Sequence, residues 1–154
     1  MVEGVYDVGV RKLNVSFYYN RTFGYADDLK VAGSWTRTMR PDYTLSIWPG
    51  DIKEKQAEKE DLIVHIHFDA KYKVQQIQWQ EKVNDETVES LNEEKKEQEK
   101  GIYKHADLYK MHTYKDAIRR TGGAYILYPG DMNKSMKGFH EIIPGLGAFC
   151  IKPN

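Results

Sequence analysis

Between Leu62 and Val74, in LIVHIHFDAKYKV, apolar and ionisable residues alternate one for one. Val64, Ile66, Phe68, Ala70 and Tyr72 fall on one side, and His65, His67, Asp69, Lys71 and Lys73 on the other. Period two is the repeat of a strand, whose successive side chains point to opposite faces. The chain must therefore build a sheet that carries an apolar and an ionisable face at this point.

Two further segments read as strands. LNVSFYY (residues 13–19) mixes β-branched and aromatic residues and stops at Asn20. DYTLSIW (42–48) opens after Pro41 and closes at Pro49-Gly50, with Tyr43, Leu45 and Ile47 on one face and Asp42, Thr44 and Ser46 on the other. Turn residues at both ends of a period-two run predict a strand. From about residue 102 to 120 the pattern changes: Leu108, Met111, Tyr114 and Ile118 recur at helical spacing. Arg119 and Arg120 are placed in the last turn, where cations favour the helix dipole, and Gly122-Gly123 is the expected stop. AYILYPG (124–130) reads as a short buried strand and AFCIKP (148–153) as an edge strand. Strand, strand, strand, helix, strand predicts an α/β protein with a mixed sheet and a helix packed on it.

A chain of 154 residues without an internal repeat is expected to form one domain. Its zero net charge is an average over unlike parts. The runs at 51–61 and 81–100 together hold 13 acidic and 7 basic residues, leaving 10 acidic and 16 basic elsewhere. Both runs read as solvated charged insertions, and the rest as a mildly basic body suited to a polyanion. No run approaches the ~18 to 20 apolar residues of a membrane-spanning helix, and MVEGVYDVGVRK lacks the apolar core of a signal peptide. A cytoplasmic protein with no membrane partner is expected. The lone Cys150 can form neither an internal disulfide nor a Cys-based zinc site.

The chemistry concentrates at Asp42 and at Asp69-Ala70-Lys71. Asp69 and Lys71 project from one face of a strand at roughly 6.5 to 7 Å spacing. If the strands bearing Asp42 and Asp69 pair as a hairpin around residues 51–61, their carboxylates can share a divalent cation. Mg2+ prefers such hard oxygens and keeps open water positions, where a phosphodiester can bind. Lys71 would then orient the attacking water or stabilise charge in the transition state. A zinc reading of His65 and His67 is weaker, because residues two apart on a strand close poorly on one metal; a polar face covered by a loop or helix accounts for them better. His105 and His112 share a helical face, and His112 stays a candidate for the site. Trp35, Trp48, Trp79 and the tyrosines can stack on bases or pack in the core. No G-x-x-x-x-G-K phosphate loop occurs.

These residues resemble a known family. Pro41-Asp42, then Asp69-x-Lys71 on the next strong strand, look like the PD-(D/E)xK nuclease signature. RPDYTLSIW, HFDAKYK, DLYKMHTYKDAI, YILYPG and GFHEIIPGLGAFCIKP are similar to the nuclease domain of McrC-like subunits of modification-dependent restriction systems, from about Leu13 to Pro153. The resemblance implies a restriction-endonuclease-like mixed central sheet with flanking helices. It also implies a metal-dependent DNA endonuclease in which Asp42 and Asp69 bind Mg2+ (or Mn2+), the Ala70 carbonyl adds a ligand, and Lys71 is catalytic. Lys73, Lys110, His112 and Tyr114 would help place DNA, beside a McrB-like nucleotide-driven motor partner. A homodimer would serve a double-strand cut. Two departures stand out. The acid that many relatives carry on a helix ahead of the first core strand is not found, Glu3 and Asp7 being poor substitutes, which fits a short variant or the C-terminal part of a larger protein. Where the family often has Gln and Tyr four residues apart, this chain has Lys110 and Tyr114. A non-cleaving DNA- or protein-binding module with the same fold is the alternative.

Overall fold

The computed structural model describes residues 1–71, 107–129, 141–143 and 145–151. In chain order the elements are β1 (Val2–Val8), β2 (Arg11–Tyr19), β3 (Tyr43–Pro49), α1 (Glu54–Lys59), β4 (Val64–Ala70), a helical segment α2 over 107–117, β5 (Thr121–Pro129), β6 (Glu141–Ile143) and β7 (Leu146–Ile151). The described strands form one mixed sheet in the order β1-β2-β3-β4-β5-β7-β6. The first four are an antiparallel meander, β5 runs parallel to both β4 and β7, and β6 returns antiparallel on β7. A parallel neighbour requires a crossover, and α2 lies in the one between β4 and β5. This is the restriction-endonuclease-like α/β arrangement expected from the sequence. Among the described residues no helix is long and apolar enough to cross a membrane.

Several local expectations are corrected. β1 is a seven-residue strand, joined to β2 through Gly9, whose positive φ of 62° suits a two-residue hairpin connection. AFCIKP does not lie at the edge: β7 sits between β5 and β6. Residues 51–61 are more than a solvated insertion, since they contain α1, whose Ala57 and Glu58 are buried. The run at 81–100 lies outside the described residues, as do Lys73, Trp79 and His105. The chain leaves α2 through Arg120, at φ 59°, and Gly122-Gly123 belongs to β5 rather than forming a stop. Those glycines are matters of space: a Cβ on Gly122 would stand 2.5 Å from Val64, and one on Gly123 2.6 Å from the Tyr125 ring. Arg119 and Arg120 likewise follow the helix and act as anchors. Arg119 is buried, donates to the Ala26 carbonyl and lies over Trp35; Arg120 bonds Glu58, Asp61 and the Leu29 and Val31 carbonyls.

The main core lies between the sheet and α2. Met111, Tyr114, Ala117 and Ile118 pack on Ala124 and Ile126 of β5 and on Leu146 and Ala148 of β7, with Phe23 and Met39 from the loop after β2. A smaller cluster joins Trp48, Ala57 and Ile63. On β3 and β4 the fully covered face is the polar one: Thr44, Ser46, His65, His67 and Asp69 are all 0 % exposed, while Val64 is 36 % exposed. Cross-strand pairing makes this tolerable. Thr44 stands opposite His67 and Ser46 opposite His65, and each hydroxyl bonds its partner's Nδ1, at 3.0 and 2.9 Å. The outer nitrogens bond Thr121 Oγ1 at 3.0 Å and Glu58 Oε1 at 3.1 Å. Buried polar groups are retained in folded proteins when satisfied in this way. All four imidazole nitrogens are thus committed to protein partners, in keeping with a covered polar face rather than a zinc site.

Candidate active site

The polar ladder continues to the end of the sheet. Tyr43 pairs with Phe68, so the next residue on each strand brings Asp42 opposite Asp69 on the face that carries Thr44 and His67. Pro41, fully buried, ends the preceding loop and starts the chain into β3. Asp42 Oδ2 accepts the Ala70 N–H at 2.9 Å, which fixes the carboxylate against the last peptide of β4. Beyond it the Lys71 N–H donates to the Leu127 carbonyl of β5 at 2.8 Å, so the Asp69-Ala70-Lys71 backbone is held from both sides.

Asp69 is buried, yet its carboxylate has a cation at each oxygen. Lys110 Nζ lies 2.5 Å from Oδ1 and Lys71 Nζ 2.5 Å from Oδ2. Both ammonium groups are partly open, with side chains 41 % and 31 % exposed. Lys71 has a second acidic neighbour, Asp107 Oδ1, at 3.0 Å. Burial alone would lower the Lys71 pKa, but the bonds and charges of Asp69 and Asp107 outweigh it and the pKa is raised. Lys110 is also raised, with Asp69 outweighing burial. Both are ammonium ions at neutral pH.

Tyr114 closes the inner wall. Its hydroxyl donates to the Arg40 carbonyl at 3.2 Å, and Lys110 Nζ lies 5.5 Å from its ring centroid. Burial raises the phenol pKa; Lys110 opposes this, while Asp69 and Asp42 add to it. Residues i, i+3 and i+7 share one side of a helix. That spacing brings Asp107, Lys110 and Tyr114 to the end of β4. His112 is two residues from Lys110, which turns it away; it is half-buried outside this group.

Asp42, Asp69, Ala70, Lys71, Lys110 and Tyr114 therefore converge, and His112 does not. Asp107 is the neighbour the sequence reading passed over, although its spacing to Lys110 and Tyr114 in DLYKMHTY marks the same helix side. The donor chemistry suits a hard divalent cation. Asp42 and Asp69 offer carboxylate oxygens of the kind Mg2+ takes, and the position facing Asp69 Oδ1 already accommodates positive charge. Two carboxylates supply part of such a shell. Among the described residues no group of three or more His, Cys, Asp or Glu side chains is arranged to hold a metal ion by itself.

A second polar cluster lies along the inner face. Glu58 accepts from Arg21 at 3.2 Å and Arg120 at 3.3 Å and contacts His65. Arg21 also reaches Glu54 at 2.7 Å and the Ser46 hydroxyl at 2.9 Å, and Tyr18 donates to Glu54 at 2.5 Å. Burial pushes up the Glu58 pKa, but His65, Arg21 and Arg120 reverse that and hold it below the usual carboxylate value. This cluster ties α1 to the sheet.

Compared with known proteins, the chain matches a family model described as the PD-(D/E)XK nuclease superfamily over residues 2–133. A search of curated proteins and a search of solved structures each gave no match.

Proposed function

Because the chain belongs to the PD-(D/E)XK nuclease superfamily, we propose that it is a metal-dependent DNA endonuclease that hydrolyses phosphodiester bonds at the corner formed by Asp42, Asp69 and Lys71. The observation that carries this reading is the juxtaposition of Asp42 and Asp69 across β3 and β4, with Lys71 at the second acid. Asp42 and Asp69 would hold a divalent ion, Mg2+ or Mn2+, with the Ala70 carbonyl as a further ligand. When bound, the ion supplies Lewis-acid activation of the phosphoryl group. Lys71 orients the attacking water and stabilises the phosphorane-like charge. Water adds to phosphorus, one P–O bond to the sugar breaks, and the products are a terminal phosphate and a hydroxyl. Lys110 and Tyr114, beside Asp69, would help place the DNA strand, the role that the resemblance also implies for Lys73. The resemblance of RPDYTLSIW, HFDAKYK and the later segments to McrC-like subunits supports a place in a restriction or defence system, as the cleaving module beside a McrB-like motor, with a second copy for the opposite strand.

Nicking of supercoiled plasmid with added Mg2+ or Mn2+ tests the proposal. Asp69→Asn and Lys71→Met abolish nicking while the folded circular dichroism spectrum persists; cleavage retained by either variant overturns the assignment. Asn is the better probe at 69 because that side chain is buried and nearly isosteric replacement avoids a cavity.

The two ammonium groups on Asp69 favour a second reading, a DNA- or protein-binding module that keeps the fold without cutting. Divalent-metal binding that disappears in Asp42→Asn, accompanied by cleavage in the parent chain, rejects it.

A further inference from the structure

We propose that Lys110 is a resident counter-ion of the nuclease site: its ammonium group holds the cation position at Asp69 Oδ1 and must leave before a divalent metal can bind there. The inference rests on the metal-dependent reading above and concerns how that site is filled.

Asp69 is 0 % exposed. A carboxylate so placed stays ionised only with opposite charge close by. Two ammonium groups provide it, and they are not equivalent. Lys71 lies between two carboxylates, as an ion pair with Asp69 Oδ2 at 2.5 Å, without a well-formed hydrogen bond to that oxygen, and with Asp107 at 3.0 Å. Lys110 has Asp69 as its one carboxylate partner among the described residues, at 2.5 Å, and its side chain is the more exposed of the two. A Mg2+ ion sits ~2.0 to 2.1 Å from its oxygen ligands. At that distance from Oδ1 it would meet an ammonium group bonded to the same atom, and the two cations repel. Lys110 is the one that can yield, because beyond Asp69 its neighbour is the uncharged Tyr114, 5.5 Å from its ring centroid, and its side chain is 41 % exposed against 31 % for Lys71. Lys71, tied at both ends, stays.

Displacement has a direction. A released Lys110 ammonium stands at the mouth of a site that must receive a phosphate. Metal entry thus frees a cation for the substrate backbone, and a phosphate that draws Lys110 away from Asp69 uncovers the metal position. Linkage makes these effects reciprocal: DNA tightens metal binding by the factor by which metal tightens DNA binding. A neutral amide at position 110 would leave Asp69 Oδ1 open and lack this coupling.

The test is calorimetric titration of the intact chain with Mn2+ in the absence of DNA, comparing the parent with Lys110→Gln, Lys110→Met and Asp69→Asn. Lys110 is partly exposed, and two replacements of different polarity guard against a folding defect, checked by thermal melting. The expected result is Mn2+ binding that is tighter in both Lys110 variants, on the order of tenfold, and lost in Asp69→Asn. Unchanged or weaker binding in both Lys110 variants, with the Asp69 dependence intact, overturns the counter-ion proposal and leaves the nuclease reading standing. Parent binding that is indifferent to Asp69→Asn removes the metal site and the counter-ion together. A short non-cleavable DNA added to the titration should tighten Mn2+ binding in the parent and lose most of that effect in Lys110→Gln; equal tightening in both overturns the coupling.

Discussion

The Asp42 carboxylate accepts the backbone N–H of Ala70 across the strand pair at 2.9 Å. One oxygen of this acid thus shapes the end of β4, and the proposed metal role falls to the other. Asn at 42 keeps an acceptor for that N–H, whereas Ala removes it. Asp42→Asn should therefore hold most of the parent stability and lose metal-dependent cleavage, and Asp42→Ala should lose an additional ~1 to 3 kcal/mol for the orphaned donor. Urea unfolding of the two variants, set beside the nicking assay, separates the two roles. Equal stabilities would show that the hydrogen bond contributes little.

Asp107 acts on Lys71 through the 3.0 Å contact between them. Its charge is one of the causes that keep the Lys71 pKa above the ordinary lysine value, so Asp107→Asn should bring that pKa down. The freer amine should be acylated severalfold faster under mildly alkaline conditions, read by peptide mass spectrometry, with one pKa unit corresponding to about tenfold in free-amine fraction. Cleavage should fall as Lys71 loses its fixed position. An unaltered acylation rate would show that Asp69 alone governs Lys71.

His67 supplies a pH dependence of stability. Burial, with the nearby charges of His65 and Arg21, lowers its pKa from 6.5 to about 3. As pH falls below 6.5 the unfolded chain takes up a proton that the folded chain refuses. The stabilising contribution is complete above that value and is lost progressively on acidification, down to about 3, at up to about 1.4 kcal/mol per pH unit. Glu58, held below 4.5, adds a further loss at the acid end of the range. Urea midpoints at about pH 7.5 and about pH 5 should fall clearly in the parent and less in His67→Gln. Equal slopes would contradict the buried neutral imidazole.

Glu58 gathers Arg21, Arg120 and His65 on a side chain only 5 % exposed. Its removal leaves two guanidinium groups without their shared buried partner. Glu58→Ala should cost about 3 to 5 kcal/mol in urea unfolding. Glu58→Gln, which can still accept hydrogen bonds, should cost less. A loss under about 1 kcal/mol for Ala would show that water replaces the carboxylate readily.

Composition exposed β2, and period two exposed β3 and β4 in the sequence, because alternation survives whichever face is buried. It could not say that the polar side faces inward. That outcome depends on Thr44, Ser46, Thr121 and Glu58 arriving from other parts of the chain to satisfy two imidazoles. β1 escaped notice because every residue in it is exposed, so no burial pattern shaped its sequence. α1 was hidden by its charges, of which only Glu58 is buried. Within the site, the spacing of Asp42, Asp69 and Lys71 was legible as a motif. The engagement of Lys110 with Asp69 was not, since a lysine on a helix face looks alike whether it reaches solvent, a phosphate or a carboxylate.

Two cross-strand rungs, Ser46 with His65 and Thr44 with His67, lead up to the position where Asp42 faces Asp69. If the proposed function holds, cohesion and reactivity are consecutive stations on a single track, one serving to hold the protein together and the next to act on a substrate. A lineage that retunes the reactive end must therefore work against a neighbour that cannot give way, which favours change on the helix side, at 107 and 110, over change in the strands.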